Sequence, residues 1–457
     1  MKTKISNLRE LSSTKARRFA LDILEHGLEA ADPYIPVLEA LAGIEELRSG
    51  RYGKVYVIGF GKAAYRMALA CEKFFGEDLT AGVIIVPTGS IEERKSRLNK
   101  IRVLLGEHPI PTQRNVASAQ QLLETIKDLN RNDLVVCLIS GGGSALFTLP
   151  ANGITLDDIK DVTKLLLEAG SDIKELNAVR KHISSVAGGQ LSLRIYPAHC
   201  ISLILSDVVG NDPSVIASGP TYADPSSYSD ALEILEKYDV AVMGGVPNVE
   251  RHLRRGMAGG IPETPKPGSG TFSKTRNVIV ADNARALLSM NNRAEKLGLG
   301  SAIVTSKLEG EARDAGSMIG ALAKRKRWRR PQTQAGMLPL PPCALIFGGE
   351  TTVAVKGKTG RGGRNQEVAL SAALYLEGLG EAAFASMGSD GIDGNTASAG
   401  AIVDSSTAAY ALSLGLSPVT FLERNDSNTL FKKIGGCLIC TGPTGTNVND
   451  LAVLILL

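Results

Sequence analysis

Four segments in the first half of the chain combine glycines, hydroxyls, amides or charged side chains in a way that suits phosphate and carboxylate groups. Backbone N–H groups that no side chain covers can surround phosphate oxygens, and Lys or Arg can neutralise their charge. An acid at the carboxyl end of a parallel strand often holds Mg²⁺ when phosphates are near. The four segments are Gly59-Phe-Gly61-Lys62, Ser140-Gly141-Gly142-Gly143-Ser144, Asn177-Ala-Val-Arg180 and Ser206-Asp207.

The first of these segments also fits a dinucleotide pattern. Gly59, Gly61 and Ala64 have the G-x-G-x-x-A spacing, after an apolar run and before a helical stretch. The next apolar run ends in Val-Pro-Thr88 without an acid to bind a ribose hydroxyl, which argues against a nicotinamide cofactor. Lys62 instead suits a terminal phosphate or a small carboxylate, although a tight turn with a solvated Lys62 remains an alternative.

The second and third segments offer donors of two kinds. Three consecutive glycines, residues 141–143, leave backbone N–H groups bare, and Ser140 and Ser144 add hydroxyls, but no Gly-Lys-Ser/Thr follows as in a P-loop. Arg180 can grip a carboxylate or phosphate with two N–H groups at once, and Asn177 lies one helical turn before it. A salt-bridged surface helix is the alternative for this third segment.

The second half of the chain repeats the same chemical types. Glu350 follows Gly-Gly, Arg364 ends a glycine loop, and Asp390 begins a stretch of closely spaced oxygen ligands, while residues 441–447 add hydroxyls and amides. Any one of these segments, like Ser206-Asp207, could be only a turn. Together they predict phosphoryl transfer, which needs positioning and charge neutralisation rather than a covalent nucleophile.

The elements that must position these segments alternate between helix-like and strand-like patterns, which predicts an α/β fold with mostly parallel strands. Residues 16–28 have the spacing of an amphipathic helix. Residues 257–274 are rich in Gly, Pro, Ser and Thr and predict a linker between domains at 1–256 and 275–457. Apolar runs that predict strands occupy residues 55–58, 83–86, 134–139, 201–205, 278–280, 302–304, 345–347, 352–355 and 437–440.

Length and composition limit the class of protein. A chain of 457 residues suits two or three domains, and 44% hydrophobic with 21% charged residues excludes a disordered or fibrous protein. The polar, basic start and the short apolar stretch at 451–457 predict neither a signal peptide nor a membrane span. Six scattered Cys do not predict a disulfide framework, so we expect a soluble, cytoplasmic protein.

One basic run, residues 324–330, departs from the nearly neutral net charge of +4. A nucleic-acid patch with a stacking Trp328 is one interpretation, and the basic end of a helix followed by a surface loop is the other. No nucleic-acid-binding motif surrounds the run, which favours the second interpretation. We therefore expect small-molecule partners, no nucleic acid and no membrane, and leave open a homodimer.

In this order, the motifs resemble the glycerate 2-kinase family of the MOFRL type, from Gly59-Phe-Gly-Lys62 to residues 441–447. Gly-Gly-Arg364-Asn-Gln-Glu and Gly-Ser-Asp390-Gly-Ile-Asp-Gly-Asn-Thr are its most specific parts. The resemblance implies a kinase that uses ATP and Mg²⁺ to phosphorylate D-glycerate at the 2-hydroxyl. It also implies a Rossmann-like, three-layer N-terminal domain, a second α/β domain of the MOFRL type, and an active site in the cleft between them.

The resemblance further implies that Lys62 and Arg364 are the essential basic residues, and we expect both to neutralise the transferring phosphoryl group. Arg180, Asn177 and Glu350 are expected to bind glycerate, with Arg180 on its carboxylate. Asp390 and Asp207 are candidates for Mg²⁺ or for orienting the glycerate hydroxyl. Two other functions remain: an NAD(P)H-dependent hydroxypyruvate reductase, or a non-catalytic protein that binds a ligand or nucleic acid. The residues expected at the nucleotide phosphates are Gly59, Gly61, Ser140, Gly141, Gly142, Gly143, Ser144 and Asp207.

Overall fold

A computed structural model describes residues 3–49, 52–90, 98–240, 243–324, 338–355 and 360–457. Within it the chain forms two compact units. The central unit consists of residues 33–280, and the two-segment unit combines residues 1–32 with residues 281–457. Residues 325–330, which carry most of the basic run, lie outside the described residues.

The central unit is built on a six-stranded sheet with the order β3-β2-β1-β4-β5-β6. The pairs β1–β2, β2–β3, β1–β4 and β4–β5 are all parallel, as the continuous apolar runs predict. All six residues of β4 are buried. The strands are β1 Val55–Phe60, β2 Leu79–Pro87, β3 Ile101–Gly106, β4 Leu134–Ile139, β5 His199–Leu205 and β6 Thr275–Ala281.

Ten helices of this unit lie in the described residues, besides three short 3-10 turns at Gly76–Asp78, Ile216–Ser218 and Gly270–Lys274. The helix at Ile173–His182 begins at Asp172, whose side chain accepts from the backbone N–H groups of Lys174 and Glu175. The first two helices of the chain, α1 Leu8–Leu11 and α2 Lys15–Ala31, belong to the other unit. The helices of the central unit are α3 Tyr34–Gly43, α4 Glu45–Ser49, α5 Ala64–Phe75, α6 Gln113–Thr125, α7 Gly143–Leu146, α8 Leu156–Glu168, α9 Ile173–His182, α10 Gln190–Ile195, α11 Tyr228–Lys237 and α12 Pro247–Met257.

The two-segment unit has a six-stranded mixed sheet with the order β11-β10-β9-β12-β8-β7. Only β7–β8 is parallel; β12 lies antiparallel between β8 and β9, and β9–β10 and β10–β11 are antiparallel too. The prediction of mostly parallel strands is therefore wrong for this sheet. Its strands are β7 Gly300–Leu308, β8 Cys343–Gly349, β9 Ala382–Gly388, β10 Gly400–Asp404, β11 Leu438–Ile439 and β12 Asp450–Leu456.

The expected strand at 352–355 does not form, and Thr352 makes only an isolated bridge to Glu311. Conversely, the apolar stretch at the end of the chain is the central strand β12, buried along its whole length. The helices of this unit in the described residues are α1 Leu8–Leu11, α2 Lys15–Ala31, α13 Asn283–Lys296, α14 Ala312–Ala323, α15 Arg364–Leu376, α16 Thr407–Ser413, α17 Pro418–Glu423 and α18 Ser427–Ile434.

The two units differ from the expected domain boundaries at both ends. The amphipathic helix α2 packs on α13, β9 and β12, so it belongs with the second half of the chain because its apolar face is covered there. Residues 257–274 belong to the central unit, since the 3-10 turn that closes this segment leads directly into β6 of the first sheet.

Candidate active site

The first two glycine loops meet at the carboxyl ends of β1 and β4. The strand order reverses between these two neighbours, which is where open α/β sheets bind ligands. The backbone N–H of Lys62 donates to the carbonyl of Gly141 at 2.9 Å, and that of Ala63 donates to Ser140 Oγ at 3.1 Å. The structure thus brings together two segments that lie almost 80 residues apart in the chain.

The two loops differ in the backbone donors they can offer. The N–H groups of Gly61, Lys62, Ala63 and Ala64 all donate within the chain, so the first loop contributes the Lys62 side chain rather than the amides expected around Gly59 and Gly61. In the second loop, the N–H groups of residues 141 and 142 have no acceptor among the described residues.

Those two amides lie beside Lys62 and His108. Gly142 has φ +80°, and a Cβ there would stand 3.0 Å from His108 Nε2 and 3.6 Å from Lys62 Cγ. The stem of Lys62, the His108 imidazole and bare N–H groups therefore lie close together at the sheet edge. This set of donors can bind phosphate oxygens.

Arg180 lines a separate small pocket in the same unit. A cavity of about 30 Å³, with room for about two water-sized groups, lies between Arg180, Ser144, Ser184 and Ser218. Among the described residues, the guanidinium has neither a counter-ion nor a hydrogen-bond acceptor. Burial lowers the pKa of Arg180 to about 10, and within the described part of the chain no carboxylate offsets that effect.

A series of hydrogen-bonded polar side chains, Ser144, Ser218 and Asn177, lies beside this pocket. The Ser144 and Ser218 hydroxyls lie 2.9 Å apart, and Ser218 Oγ donates to Asn177 Oδ1 at 2.9 Å. Asn177 is only 2% exposed, and its Nδ2 has no partner within the described residues. Ala217 (φ 50°) and Ser218 (φ 62°) have left-handed backbones, a strained conformation that non-glycine residues keep mostly at functional sites.

Ser144 therefore faces the Arg180 pocket, whereas Gly142 faces Lys62, so one glycine loop contributes to both groups. Ser218 was missed by the sequence analysis because Ser-Gly-Pro resembles an ordinary turn. Asp207 follows β5, the neighbour of β4, and is half-buried at the same edge of the sheet.

In the two-segment unit, Arg364 is held by two acids. Its Nε donates to Asp450 Oδ2 at 2.7 Å and its Nη2 to Asp450 Oδ1 at 3.0 Å, while Nη1 donates to Glu350 Oε1 at 2.7 Å. Burial alone would lower the pKa of Arg364, but the charges of Asp450 and Glu350 outweigh it and raise the pKa. Glu350, expected to bind substrate, is thus an ion-pair partner of Arg364.

A second carboxylate holds the start of helix α15. Asp393 accepts from the backbone N–H groups of Asn365 (3.1 Å) and Gln366 (2.9 Å), two donors that the first helical turn leaves unpaired. Its carboxylate is almost completely buried, and burial raises its pKa in spite of these bonds. Asn365 Nδ2 also donates to Asp450 at 2.9 Å, which ties the two acids together.

The glycines before Arg364 are explained by close packing. A Cβ on Gly363 would collide with the Asp393 side chain, and a Cβ on Gly360 would stand 2.6 Å from the carbonyl of Arg424. This loop therefore presses against two neighbouring loops of the same unit. Its glycines position Arg364 and are not themselves shown to surround a phosphate.

Asp390 follows β9 and lies near Asp450. A Cβ on Gly388 would be 3.2 Å from Asp390 Oδ1 and 3.7 Å from Asp450 Oδ1. Asp450 was missed because its signal was only the polar start of the terminal apolar run; in the sheet it pairs with Gly388 and Gly349. Within the described residues, no group of three or more His, Cys, Asp or Glu could hold a metal ion.

Comparisons with known proteins agree with this architecture. Residues 19–254 match a family described as a domain of unknown function, DUF4147, and residues 343–450 match the MOFRL family. Among the helices that the structure describes, none combines the length and apolarity that a membrane crossing requires.

Three similar proteins cover nearly the whole chain. A glycerate 2-kinase of Pyrococcus horikoshii is 41% identical over 96% of this chain and 97% of its own. The crystal structure of a glycerate kinase from Thermotoga maritima has a TM-score of 0.82 and 38% identity, covering 95% of this chain and 98% of that one. An Agrobacterium vitis protein with the provisional name of hydroxypyruvate reductase is 37% identical over 88% of this chain and 100% of its own.

Proposed function

The chain belongs to the glycerate 2-kinase family of the MOFRL type, and on that premise we propose that it transfers the γ-phosphoryl group of ATP to the 2-hydroxyl of D-glycerate. The P–O bond between the γ-phosphorus and the bridging oxygen breaks, a P–O bond to the 2-oxygen forms, and the hydroxyl proton is released. The products are 2-phosphoglycerate and ADP. The observation that carries this proposal is Lys62 beside the uncommitted N–H groups of residues 141 and 142, at the reversal of strand order.

Lys62 and the bare amides hold the oxygens of the transferring phosphoryl group. Charge on these oxygens must be neutralised for the transfer, and the protein can do so with fixed donors that need no rearrangement. Arg364 supplies the second cation of the reaction, and its bonds to Asp450 keep its orientation constant. The expected active site in a cleft between the domains stays a prediction.

Arg180 binds the carboxylate of glycerate. A partly buried guanidinium that no described residue pairs needs an anionic partner, because burying a charge without one is costly. A cavity of about 30 Å³ matches a carboxylate and is far too small for a nucleotide. The hydroxyls of Ser144 and Ser218 lie at its edge, and Asn177 holds Ser218 in place.

Mg²⁺ accompanies ATP in this proposal, and Asp207 and Asp390 are the residues that would hold it. Mg²⁺ is usually bound through one or two carboxylates together with substrate phosphates and waters rather than by a cage of protein ligands. Half-buried acids at the ends of β5 and β9 fit that pattern. The ion would neutralise charge on the phosphates. A Rossmann-like fold of the central unit is also a proposal, and the 3-2-1-4-5-6 strand order supports it. The cytoplasmic location and a homodimer remain proposals as well.

The deciding experiment incubates the purified protein with D-glycerate, ATP and Mg²⁺ and identifies the product by NMR. We expect 2-phosphoglycerate; 3-phosphoglycerate would refute the regiochemistry, and no phosphorylated product would refute the function. A parallel reaction with hydroxypyruvate and NADH, followed by absorbance, tests the reductase alternative.

The residue assignment is tested by Lys62→Ala and Arg364→Ala. Each should lower kcat at least 30-fold, and turnover within about threefold of wild type, less than ~0.7 kcal/mol on the barrier, would contradict the assignment. Lys73→Ala is the matched control, because Lys73 is an exposed cation on helix α5, the helix that Lys62 precedes. This control should leave kcat and both KM values unchanged.

A further inference from the structure

The two acids that hold Arg364 use only part of its bonding capacity. A guanidinium has five N–H donors, and Asp450 takes one on Nε and one on Nη2. Glu350 takes one on Nη1. One N–H of Nη1 and one of Nη2 remain, so the outer edge of the guanidinium, formed by these two nitrogens, is the part that can bind an anionic ligand.

Both the backbone and the side chain of Asp450 are held in place. It is the first residue of β12, paired with Gly349 on one neighbouring strand and Gly388 on the other. Its side chain is 10% exposed, and Oδ1 accepts from Asn365 Nδ2 as well as from Arg364. Moving this carboxylate away would leave a buried charge without its partners.

Glu350 is held much more loosely. It lies one residue beyond β8 and its side chain is 44% exposed. Among the described residues, this side chain accepts one hydrogen bond, from Arg364 Nη1. An exposed ion pair of this kind changes an equilibrium by at most about fivefold. A phosphate group, with two negative charges and several acceptor oxygens, binds an Arg edge more strongly than one carboxylate oxygen does.

We propose that Asp450 is a positioning residue that fixes the Arg364 guanidinium, and that Glu350 is a displaceable counter-ion occupying the Nη1 donor that an anionic phosphate group of the substrate takes. This inference rests on the proposed function, since it assumes that Arg364 contacts that group. Glu350 then keeps the guanidinium paired in the ligand-free protein and leaves it on binding. It replaces the expectation that Glu350 binds the substrate directly.

Steady-state kinetics of Glu350→Gln test the counter-ion. Removing the competing charge should lower KM for the substrate whose phosphate contacts Arg364, ATP by this proposal, about three- to fivefold, with kcat within threefold of wild type. A raised KM would mean that Glu350 binds the substrate or its metal, and unchanged constants would mean that it does not compete; either overturns the proposal. Glu377→Gln is the control, because Glu377 is an exposed acid just after the other end of helix α15.

Asp450→Asn and Asp450→Glu test the positioning role. Asp450→Asn removes the carboxylate that accepts from Nε and Nη2 of Arg364. It should lower kcat at least tenfold while KM for glycerate changes less than threefold, because the guanidinium is no longer held in one orientation. Asp450→Glu, which keeps the charge, should recover part of kcat. A kcat within threefold in the folded Asn variant, or equal losses in both variants, would overturn this part. Circular dichroism confirms that the compared variants are folded.

A binding measurement separates this inference from the proposed function. Pyrophosphate, titrated calorimetrically into the protein, should bind Glu350→Gln about three- to fivefold more tightly than wild type, and the gain should vanish in Glu350→Gln/Arg364→Ala. This result without glycerate kinase activity in wild type would support the counter-ion and reject the function. If wild type has kinase activity but wild type and Glu350→Gln bind pyrophosphate equally tightly, the counter-ion role of Glu350 is rejected and the proposed function is kept.

Discussion

Replacing Arg180 by Met should make the protein more stable and less able to bind glycerate. The guanidinium is partly buried and has no counter-ion among the described residues, whereas Met has a similar length and no charge. A residue kept for packing would destabilise the fold when it is changed. A residue kept for a ligand can do the opposite, because the charge is compensated only when the ligand is bound.

The size of the expected gain in stability follows from the pKa of Arg180, which burial lowers from 12.5 to about 10. Such a difference corresponds to about 3 kcal/mol of lost stability, and the partial exposure of the side chain reduces this to about 1–2 kcal/mol. Because the folded state holds this proton less tightly than the unfolded state, the destabilisation is fully present at neutral pH. It is relieved only as the pH rises through about 10.

The assay combines urea unfolding at pH 7 with steady-state kinetics. Arg180→Met should raise the free energy of unfolding by about 1–2 kcal/mol. It should also raise KM for glycerate about 30-fold or more, because a charge-assisted bond pair to a carboxylate contributes at least about 2 kcal/mol. KM for ATP should change little. Lys174→Met is the control: Lys174 is an exposed cation on the same helix, so its loss should change stability by a few tenths of a kcal/mol and leave KM unchanged.

Two results would refute this reasoning. If Arg180→Met lowers the free energy of unfolding by 1 kcal/mol or more, the guanidinium has a stabilising partner and is structural. If KM for glycerate stays within threefold of wild type, the pocket does not take the substrate carboxylate.

Three further predictions concern the surroundings of Lys62 and Arg364. Gly142→Ala, which adds a Cβ at φ +80° within 3.0 Å of the His108 ring, should lower kcat/KM at least tenfold without changing the circular dichroism spectrum; unchanged kinetics would place the loop outside the site. Burial raises the pKa of Asp450 to about 6, so kcat should fall as the pH drops through about 6 and the protonated carboxyl loses one bond to Arg364; an acid limb that persists in Asp450→Asn would argue against this cause. Asp393→Asn replaces an acceptor of two N–H bonds at the start of α15 and should lower the free energy of unfolding, measured in urea, by about 1–3 kcal/mol; a smaller change would mean that water or the introduced amide oxygen accepts these bonds.

The strands of the central unit could be predicted because β-branched, continuously apolar runs are what a doubly covered parallel sheet requires. The same argument failed in part of the two-segment unit. Strand β9 is Ala-Ala-Phe-Ala-Ser-Met-Gly and contains no β-branched residue, and β12 is only a short apolar stretch at the end of the sequence. Its position between β8 and β9 depends on contacts between residues distant in the chain, which no local pattern contains.

The sequence by itself determined which chemical groups the protein offers: Lys62, Arg180, Arg364, acids at strand ends and glycines around them. Only the tertiary structure decided which of these charges have a counter-ion, because an ion pair forms only where the fold brings two opposite charges close together. Arg364 is paired twice, with Asp450 and Glu350, whereas the described residues leave Arg180 without a counter-ion. Both side chains are strong cations in the sequence, but in the fold Arg364 is held between two carboxylates and Arg180, among the described residues, is not.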